Sequence, residues 1–267
     1  MLKKMLVIAL TVFLLALSAY RPVNAQQSGE DDGGAGFISE IQGIVETKLQ
    51  GKEEWVPAEQ GQVIKQGDSV RTAKDAAAEL SYESGGVTSL EGDSELSVKS
   101  VKSDYDNDDY ETALDLVMGR ILVNAGKVGS ETLSFKVNTP VAVAAVRGTE
   151  FVVDVTGKED AAIAAFSGSV QVTKIGSSDS VFIKKNKKIS IQKKTTKLQK
   201  PVKLDKKTIK LKKKFITLKK KAVIHRKSIK LKRKTIALKK KSIHTIKKRV
   251  MLEEKPKVEL KKKPKIR

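Results

Sequence analysis

The chain has 267 residues and a formal net charge of +22, and only 4% of its residues are aromatic. This length allows one or two domains, and the scarcity of aromatic residues predicts a mostly aliphatic core. The chain contains no cysteine, which excludes a disulfide framework and thiolate metal ligands.

The charge is divided unevenly along the chain. Residues 184–267 contain 37 Lys and Arg against 4 Asp and Glu, a net charge of +33. Residues 26–183 contain 13 basic and 27 acidic residues, a net charge of −14. An acidic body with a strongly basic tail suggests a polyanionic partner for the tail.

The N-terminus has the pattern of a secretory signal peptide. Lys3 and Lys4 precede an apolar run from Met5 to Ala19, and Val23-Asn24-Ala25 resembles a cleavage site. We expect residues 1–25 to be removed, leaving no membrane span, because a spanning helix needs about 20 apolar residues. The product would be periplasmic, bound to the cell envelope or extracellular. A retained membrane anchor is the alternative.

Residues 26–36 are polar and rich in glycine, which predicts a linker. Residues 37–183 then alternate short β-rich runs with turns such as Gly67-Asp68 and Gly92-Asp93. This pattern predicts an all-β domain, built as a twisted solenoid-like or sandwich-like β roll.

The segment from Val137 to Val155 contains two apolar runs around the polar corner Arg147-Gly148-Thr149. Gly148 permits a positive φ angle or a close backbone approach, so the pattern predicts two strands joined at a sharp bend. We expect Arg147 to staple this corner by bonding to carbonyls or to the carboxylate of Glu150 or Asp154. A structural role is favoured over a ligand site.

Several motifs together resemble the FecR-domain family, the periplasmic part of regulators of the ferric-citrate type. They are WVPA at 55–58, GDSVRT at 67–72, GR at 119–120, TP at 139–140, VRGTEF at 146–151 and GSV at 168–170. The resemblance covers residues 37–183 and implies a twisted, solenoid-like β domain. The residues that form this family fingerprint, for which we expect structural roles, are Trp55, Gly67, Asp68, Arg71, Thr72, Thr139, Pro140, Arg147, Gly148, Thr149 and Gly168.

The chain also departs from that family. Its regulators resemble inner-membrane proteins with an N-terminal cytoplasmic segment that grips a sigma factor. Only four residues precede the apolar run here. We therefore expect a secreted FecR-like protein that lacks the cytoplasmic anti-sigma segment.

Residues 184–267 form a low-complexity basic tail with loose seven-residue repeats from Thr208 onward. Ile209 and Leu211 are two residues apart, as are Ile216 and Leu218, and such pairs face opposite sides of a helix. Neither a continuous helix nor a continuous strand would bury all of them. The pattern predicts a largely irregular or disordered tail. Short solenoid-like arcs, ordering on a polyanion and folding over the acidic body are the alternatives.

Anionic envelope polymers or lipid headgroups are the expected partners of the tail, and a protein or glycan is a possible partner of the β domain. Nucleic acid is disfavoured by the export signal, and Phe215 is the only aromatic residue that the tail offers for base stacking. The cations that would hold a polyanion are Lys212, Lys213, Lys214, Lys219, Lys220, Lys221, Lys232, Arg233, Lys234, Lys239, Lys240 and Lys241.

We expect neither an enzyme nor a protein with a metal or cofactor. The two histidines, His225 and His244, both lie in the basic tail, so the body lacks the usual nucleophile and base pairs. The acidic run between Asp104 and Asp109 lacks the spacing of an EF-hand, leaving weak calcium binding as a minor alternative. Three hypotheses remain: an exported binding or scaffold protein, a sensor of the ferric-citrate type and a nucleic-acid-binding protein.

Overall fold

The structure is a computed structural model that describes residues 36–82, 85–104, 109–125 and 132–218, with isolated positions between 220 and 246. The predicted signal peptide and nearly all of the predicted linker lie outside the described residues. No helix among the described residues is long and apolar enough to cross a membrane.

The described residues contain seventeen β-strands, most of them short, followed by helical residues from Lys206 onward. The first nine strands are β1 Gly36–Gln42, β2 Val45–Lys48, β3 Val56–Pro57, β4 Val63–Ile64, β5 Ser69–Thr72, β6 Ala77–Tyr82, β7 Val87–Leu90, β8 Glu95–Asp104 and β9 Asp109–Asn124. They are followed by β10 Thr132–Asn138, β11 Ala142–Arg147, β12 Glu150–Val155, β13 Asp160–Ala165, β14 Ser169–Lys174, β15 Ser180–Lys184, β16 Lys187–Gln192, β17 Val202–Lys203 and the helix α1 Lys206–Lys210.

The strands form two sheets that share the long strand β9. Sheet A has the order β4-β1-β6-β7-β9-β12-β13-β16-β17. Sheet B has the order β3-β2-β5-β8-β9-β10-β11-β14-β15. All of these pairs are antiparallel except β9 with β10, which is parallel.

The strand β9 changes sheets at Gly119. Residues up to Met118 pair with β8 in sheet B, whereas residues from Gly119 onward pair with β12 in sheet A. Gly119 has a φ of 87°, and a Cβ atom there would collide with Ser94. Only glycine fits this bend, because a side chain would be both strained and blocked.

The two sheets pack face to face over one aliphatic core. Phe135 of sheet B contacts Tyr82 and Phe151 of sheet A edge-on, with ring centroids 5.8 and 6.3 Å apart. Alternate residues of most strands enter this core, as expected for period-2 strands in a sandwich. The predicted all-β, sandwich-like roll is confirmed.

Sheet A also has an apolar patch on its outer face. In β9 Ile121 and Val123 point into the main core, so Leu122 between them points outward. Val87 of β7, Val152 of β12 and Ala164 of β13 lie beside Leu122 in a second buried cluster, which we call the outer cluster.

The sheets continue past residue 183, where the sequence predicts the end of the β domain. Strand β16 pairs with β13 over six residues, from Asp160 opposite Gln192 to Ala165 opposite Lys187. Ile189 and Ile191 are buried in the main core. Residues 187–192 therefore belong to the sandwich, although their lysines resemble those of the tail.

Candidate functional site

The basic tail is attached to the outer face of sheet A. Residues 205–218, 220 and 221, which we call the anchored segment, include helix α1, and residues 212–218 are also helical. The helical structure of these residues is an exception to the irregular tail that the sequence predicts. Their position on sheet A agrees with the alternative that the tail folds over the acidic body.

Asp205 starts the anchored segment. Its carboxylate accepts a hydrogen bond of 2.7 Å from the backbone N–H of Thr208, which is the contact of a helix N-cap. The ammonium group of Lys188 on β16 donates to the same carboxylate. Lys188 and these bonds hold the pKa of Asp205 far below its usual range. The cap therefore ties the start of the helix to sheet A.

One face of the anchored segment is apolar. Leu211, Phe215 and Leu218 are spaced by four and three residues, which places them on one side of a helix. Phe215 and Leu218 are each 2% exposed and complete the outer cluster, where the ring of Phe215 lies 4.8 Å from that of Phe166. Burying a side chain of this size contributes about 1.5–3 kcal/mol, so Phe215 is the main apolar anchor.

Ion pairs flank the apolar face. Lys214 donates to Glu91, and Lys221 donates to Glu40 and, at 2.8 Å, to Glu79. Partial burial opposes the charge of Lys221, but its bonds to Glu40 and Glu79 leave its pKa above the usual value. The acidic body thus receives two of the predicted polyanion-binding lysines.

Three further lysines of the anchored segment point to solvent. Lys212, Lys213 and Lys220 are exposed and make no ion pair within the part of the chain that the structure describes. Ile209 and Ile216 are 51% and 55% exposed on the side opposite Leu211 and Leu218. Isoleucine and leucine residues two positions apart therefore differ in exposure in this segment.

The other predicted polyanion-binding residues lie outside the described part of the tail, as do both histidines. They are Lys219, Lys232, Arg233, Lys234, Lys239, Lys240 and Lys241.

The corner at Arg147-Gly148-Thr149 is a structural joint between β11 and β12. Gly148 has a φ of 60°, and the buried hydroxyl of Thr149 lies 3.2 Å from the carbonyl of Arg147 and 3.1 Å from that of Ser169. A Cβ atom at Gly168 would stand 2.6 Å from that hydroxyl, so glycine is needed there.

The side chain that stabilises this corner is that of Thr149 and not that of Arg147. The side chain of Arg147 is exposed and makes no hydrogen bond or ion pair among the described residues. The carboxylate of Asp154 is bound by Arg120.

Trp55 and Arg71, two distant fingerprint residues, meet on sheet B. The guanidinium carbon of Arg71 lies 4.4 Å from the centre of the Trp55 ring, and the ammonium group of Lys48 lies 5.1 Å from it. Arg71 also donates to Glu46 at 2.6 Å. This stack joins the loop before β3 to strands β2 and β5, and cation–π contacts of this kind contribute about 0.5–1 kcal/mol at exposed sites.

Other fingerprint residues form hydrogen bonds within turns. The buried carboxylate of Asp68, next to Gly67 with its φ of 89°, accepts from the backbone N–H groups of Gln50 at 2.8 Å and Lys65 at 2.9 Å. The hydroxyl of Thr72 donates to the carbonyl of Glu91 at 2.6 Å and accepts from the N–H of Ser94 at 3.1 Å.

The hydroxyl of Thr139 is bonded to the backbone of Ala142 across the turn at Pro140. The side chains of Asp68, Thr72 and Thr139 are thus all bonded to the backbone of turns.

No group of three or more metal-ligating side chains occurs among the described residues. Most of the acidic run between Asp104 and Asp109 lies outside them.

The sequence interpretation missed the residues that receive the tail, namely Phe166, Glu40, Glu79 and Glu91. The available signal was Phe215 itself, because a lone aromatic residue in a lysine-rich tail indicates an apolar contact as readily as a stacking role.

Comparisons with known proteins show a family similarity for part of the β domain. Residues 68–171 match the family model described as FecR protein, a range that includes every fingerprint residue except Trp55 and Gly67. No curated protein matches the chain.

Among solved structures, two crystal structures of a candidate anti-sigma factor from Parabacteroides distasonis ATCC 8503, at 1.65 and 2.50 Å, are similar to the chain. Each has 16% sequence identity and a TM-score of 0.42, and the match covers 53% of this chain and 62% of that protein. The family match over residues 68–171 confirms, for this part of the chain, the resemblance to the FecR family that the sequence motifs predict.

Proposed function

We propose that this chain is an exported, non-catalytic FecR-domain protein that binds anionic surfaces of the cell envelope through its basic tail. The supporting observation is that some lysines of the anchored segment form ion pairs with the β domain and others do not. Lys214 and Lys221 hold the segment on the acidic body, whereas Lys212, Lys213 and Lys220 face solvent without ion pairs among the described residues. These three lysines are therefore available to an external anion.

This arrangement favours binding to an external anion over simple neutralisation of the body. A fixed helix that displays unpaired ammonium groups loses little conformational entropy on binding, unlike a free chain. Each Lys or Arg near an anionic membrane contributes about 1 kcal/mol, so a few such groups give measurable affinity. Envelope polymers and lipid headgroups are both partners of this kind.

The experiment compares the full mature chain with a variant in which the predicted polyanion-binding cations other than Lys214 and Lys221 are replaced by glutamine. Both are sedimented with purified cell wall, with phosphatidylglycerol vesicles and with neutral phosphatidylcholine vesicles. We expect the wild type to bind anionic material at low salt and to be released at high salt, because screening removes exposed ion pairs. Equal binding by the variant would contradict the proposal.

The FecR match favours a second candidate, a sensor or regulator of the ferric-citrate type. This function requires a membrane anchor and a cytoplasmic partner. The N-terminal sequence of the protein recovered from cells separates the two candidates. A mature chain that begins at Gln26 supports the exported binding protein, and a chain that retains residues 1–25 in the membrane supports the regulator.

A further inference from the structure

A cavity of about 520 Å³ lies where the turn between β15 and β16 meets β17 and the anchored segment. We call it the lysine groove, because Lys185, Lys187, Lys203 and Lys212 line it. Its volume falls within the range of about 300–1,000 Å³ that is typical of small-molecule sites.

The charge of the lysine groove is not neutralised by the protein. No acidic residue lines it, and none of its four lysines makes an ion pair within the ranges that the structure describes. Asp205 follows the groove residue Leu204 in the chain, but Lys188 and the N–H of Thr208 already bind its carboxylate. Like charges gathered at one site repel each other, so an anion that enters the groove relieves this repulsion.

The rest of the lining is largely apolar. Phe166, Leu204 and Ile209 line the groove, together with Asn186 at the tip of the β15–β16 turn. Ile209 is 51% exposed, although an aliphatic side chain gains free energy when water is removed from it. A small inorganic anion would contact the lysines and leave the apolar side chains hydrated. An anionic amphiphile would contact both the lysines and the apolar side chains.

We propose that the lysine groove binds a single-chain anionic amphiphile, with its phosphate or carboxylate headgroup on the lysines and its hydrocarbon chain against Phe166, Leu204 and Ile209. The proposal rests on the function proposed above and deepens it, because it names lipid, and not an anionic polymer, as the partner at this site.

The test measures binding of alkyl phosphates of increasing chain length to the full chain by calorimetry, below the micelle concentration, with inorganic phosphate as the probe without a chain. Each buried methylene contributes about 0.8 kcal/mol, so affinity should rise about fourfold for each added methylene until the chain fills the groove. Replacing the four groove lysines with glutamine should weaken dodecyl phosphate at least about tenfold. The variant Ile209→Gln should retain the headgroup contacts but flatten the dependence on chain length.

A matched control removes the same charge elsewhere. Lys193, Lys194, Lys197 and Lys200 are exposed, lie in the same region and do not line the groove. Their replacement with glutamine should leave the affinity for dodecyl phosphate within about twofold of the wild type, since the screened interaction of distant charges is small. Circular dichroism and thermal unfolding verify that all variants keep the fold.

Three results would overturn the proposal: equal weakening by the groove and control variants, affinity independent of chain length, or inorganic phosphate binding as tightly as dodecyl phosphate. If alkyl phosphates fail to bind but the full chain still sediments with cell wall or anionic vesicles, the groove proposal is wrong and the proposed function stands. If dodecyl phosphate binds in the groove but the chain does not sediment with envelope material, the proposed function is wrong.

Discussion

Replacing Phe215 with alanine should release the anchored segment from the sandwich without unfolding the β domain. Phe215 is 2% exposed and packs against Phe166 in the outer cluster. Truncating a buried phenylalanine to alanine costs about 3–5 kcal/mol. A loss of about 3 kcal/mol corresponds to roughly 150-fold less protection of the segment's amides from hydrogen exchange, because each 1.4 kcal/mol is tenfold. Hydrogen exchange read by mass spectrometry on peptides from residues 206–218 measures this change.

The adjacent residue provides a matched control. Ile216 lies in the same helical stretch but is 55% exposed, so Ile216→Ala should change protection by no more than about 0.5 kcal/mol, roughly twofold. Peptides from β9 and β12 should keep their protection in both variants, since the main core is untouched. Equal effects of the two substitutions, or an unprotected segment in the wild type, would refute the docking of the tail through Phe215.

Three further predictions concern the corner, the helix cap and the core tyrosine. Thr149→Val should lower the free energy of unfolding by about 1–3 kcal/mol in urea titration, because it removes a buried hydroxyl contact, whereas Arg147→Ala should stay within about 0.5 kcal/mol. Asp205→Ala should weaken docking of the segment by about 0.5–2 kcal/mol. Because the pKa of Asp205 is lowered in the folded protein, the wild-type cap should weaken as pH falls below about 4, which hydrogen exchange at a series of acidic pH values can detect. Burial raises the pKa of Tyr82 well above its usual value, so the ultraviolet absorbance of its phenolate should not appear while the protein stays folded. The free energy of unfolding should fall as pH rises beyond about 10. Ionisation of Tyr82 at its ordinary pKa in the native protein would contradict its burial.

The all-β fold was predictable because it depends on local patterns. Alternating strands and glycine turns are local in sequence, and Gly148 has the positive φ angle that its place between two strands predicts. The partner of each side chain was not predictable in the same way. Thr149 stabilises the corner because its hydroxyl lies within hydrogen-bond distance of the carbonyls of Arg147 and Ser169. Asp154, an expected partner of Arg147, pairs with Arg120 across strands β9 and β12.

The placement of the tail could be only partly predicted from its repeats. Ile216 is 55% exposed and Leu218 is 2% exposed, so two residues of the same repeat differ in burial. The prediction of irregular structure assumed that every apolar residue must be buried, whereas the anchored segment buries Leu218 and leaves Ile216 in solvent. Docking depends on the outer cluster and on Glu79 and Glu91, which are more than a hundred residues away in sequence. Such long-range contacts leave no periodic signal in the tail.

Fractionation of cells that produce the native protein, followed by a salt wash of the envelope fraction, tests most directly whether this chain is an exported protein held on anionic envelope surfaces. Screening at about 1 M salt shortens the Debye length to about 3 Å and removes exposed ion pairs. We expect the chain outside the cytoplasm, beginning at Gln26, bound to the envelope at low salt and released by the wash. A chain found in the cytoplasm, or one that resists the salt wash and retains residues 1–25, would contradict this account.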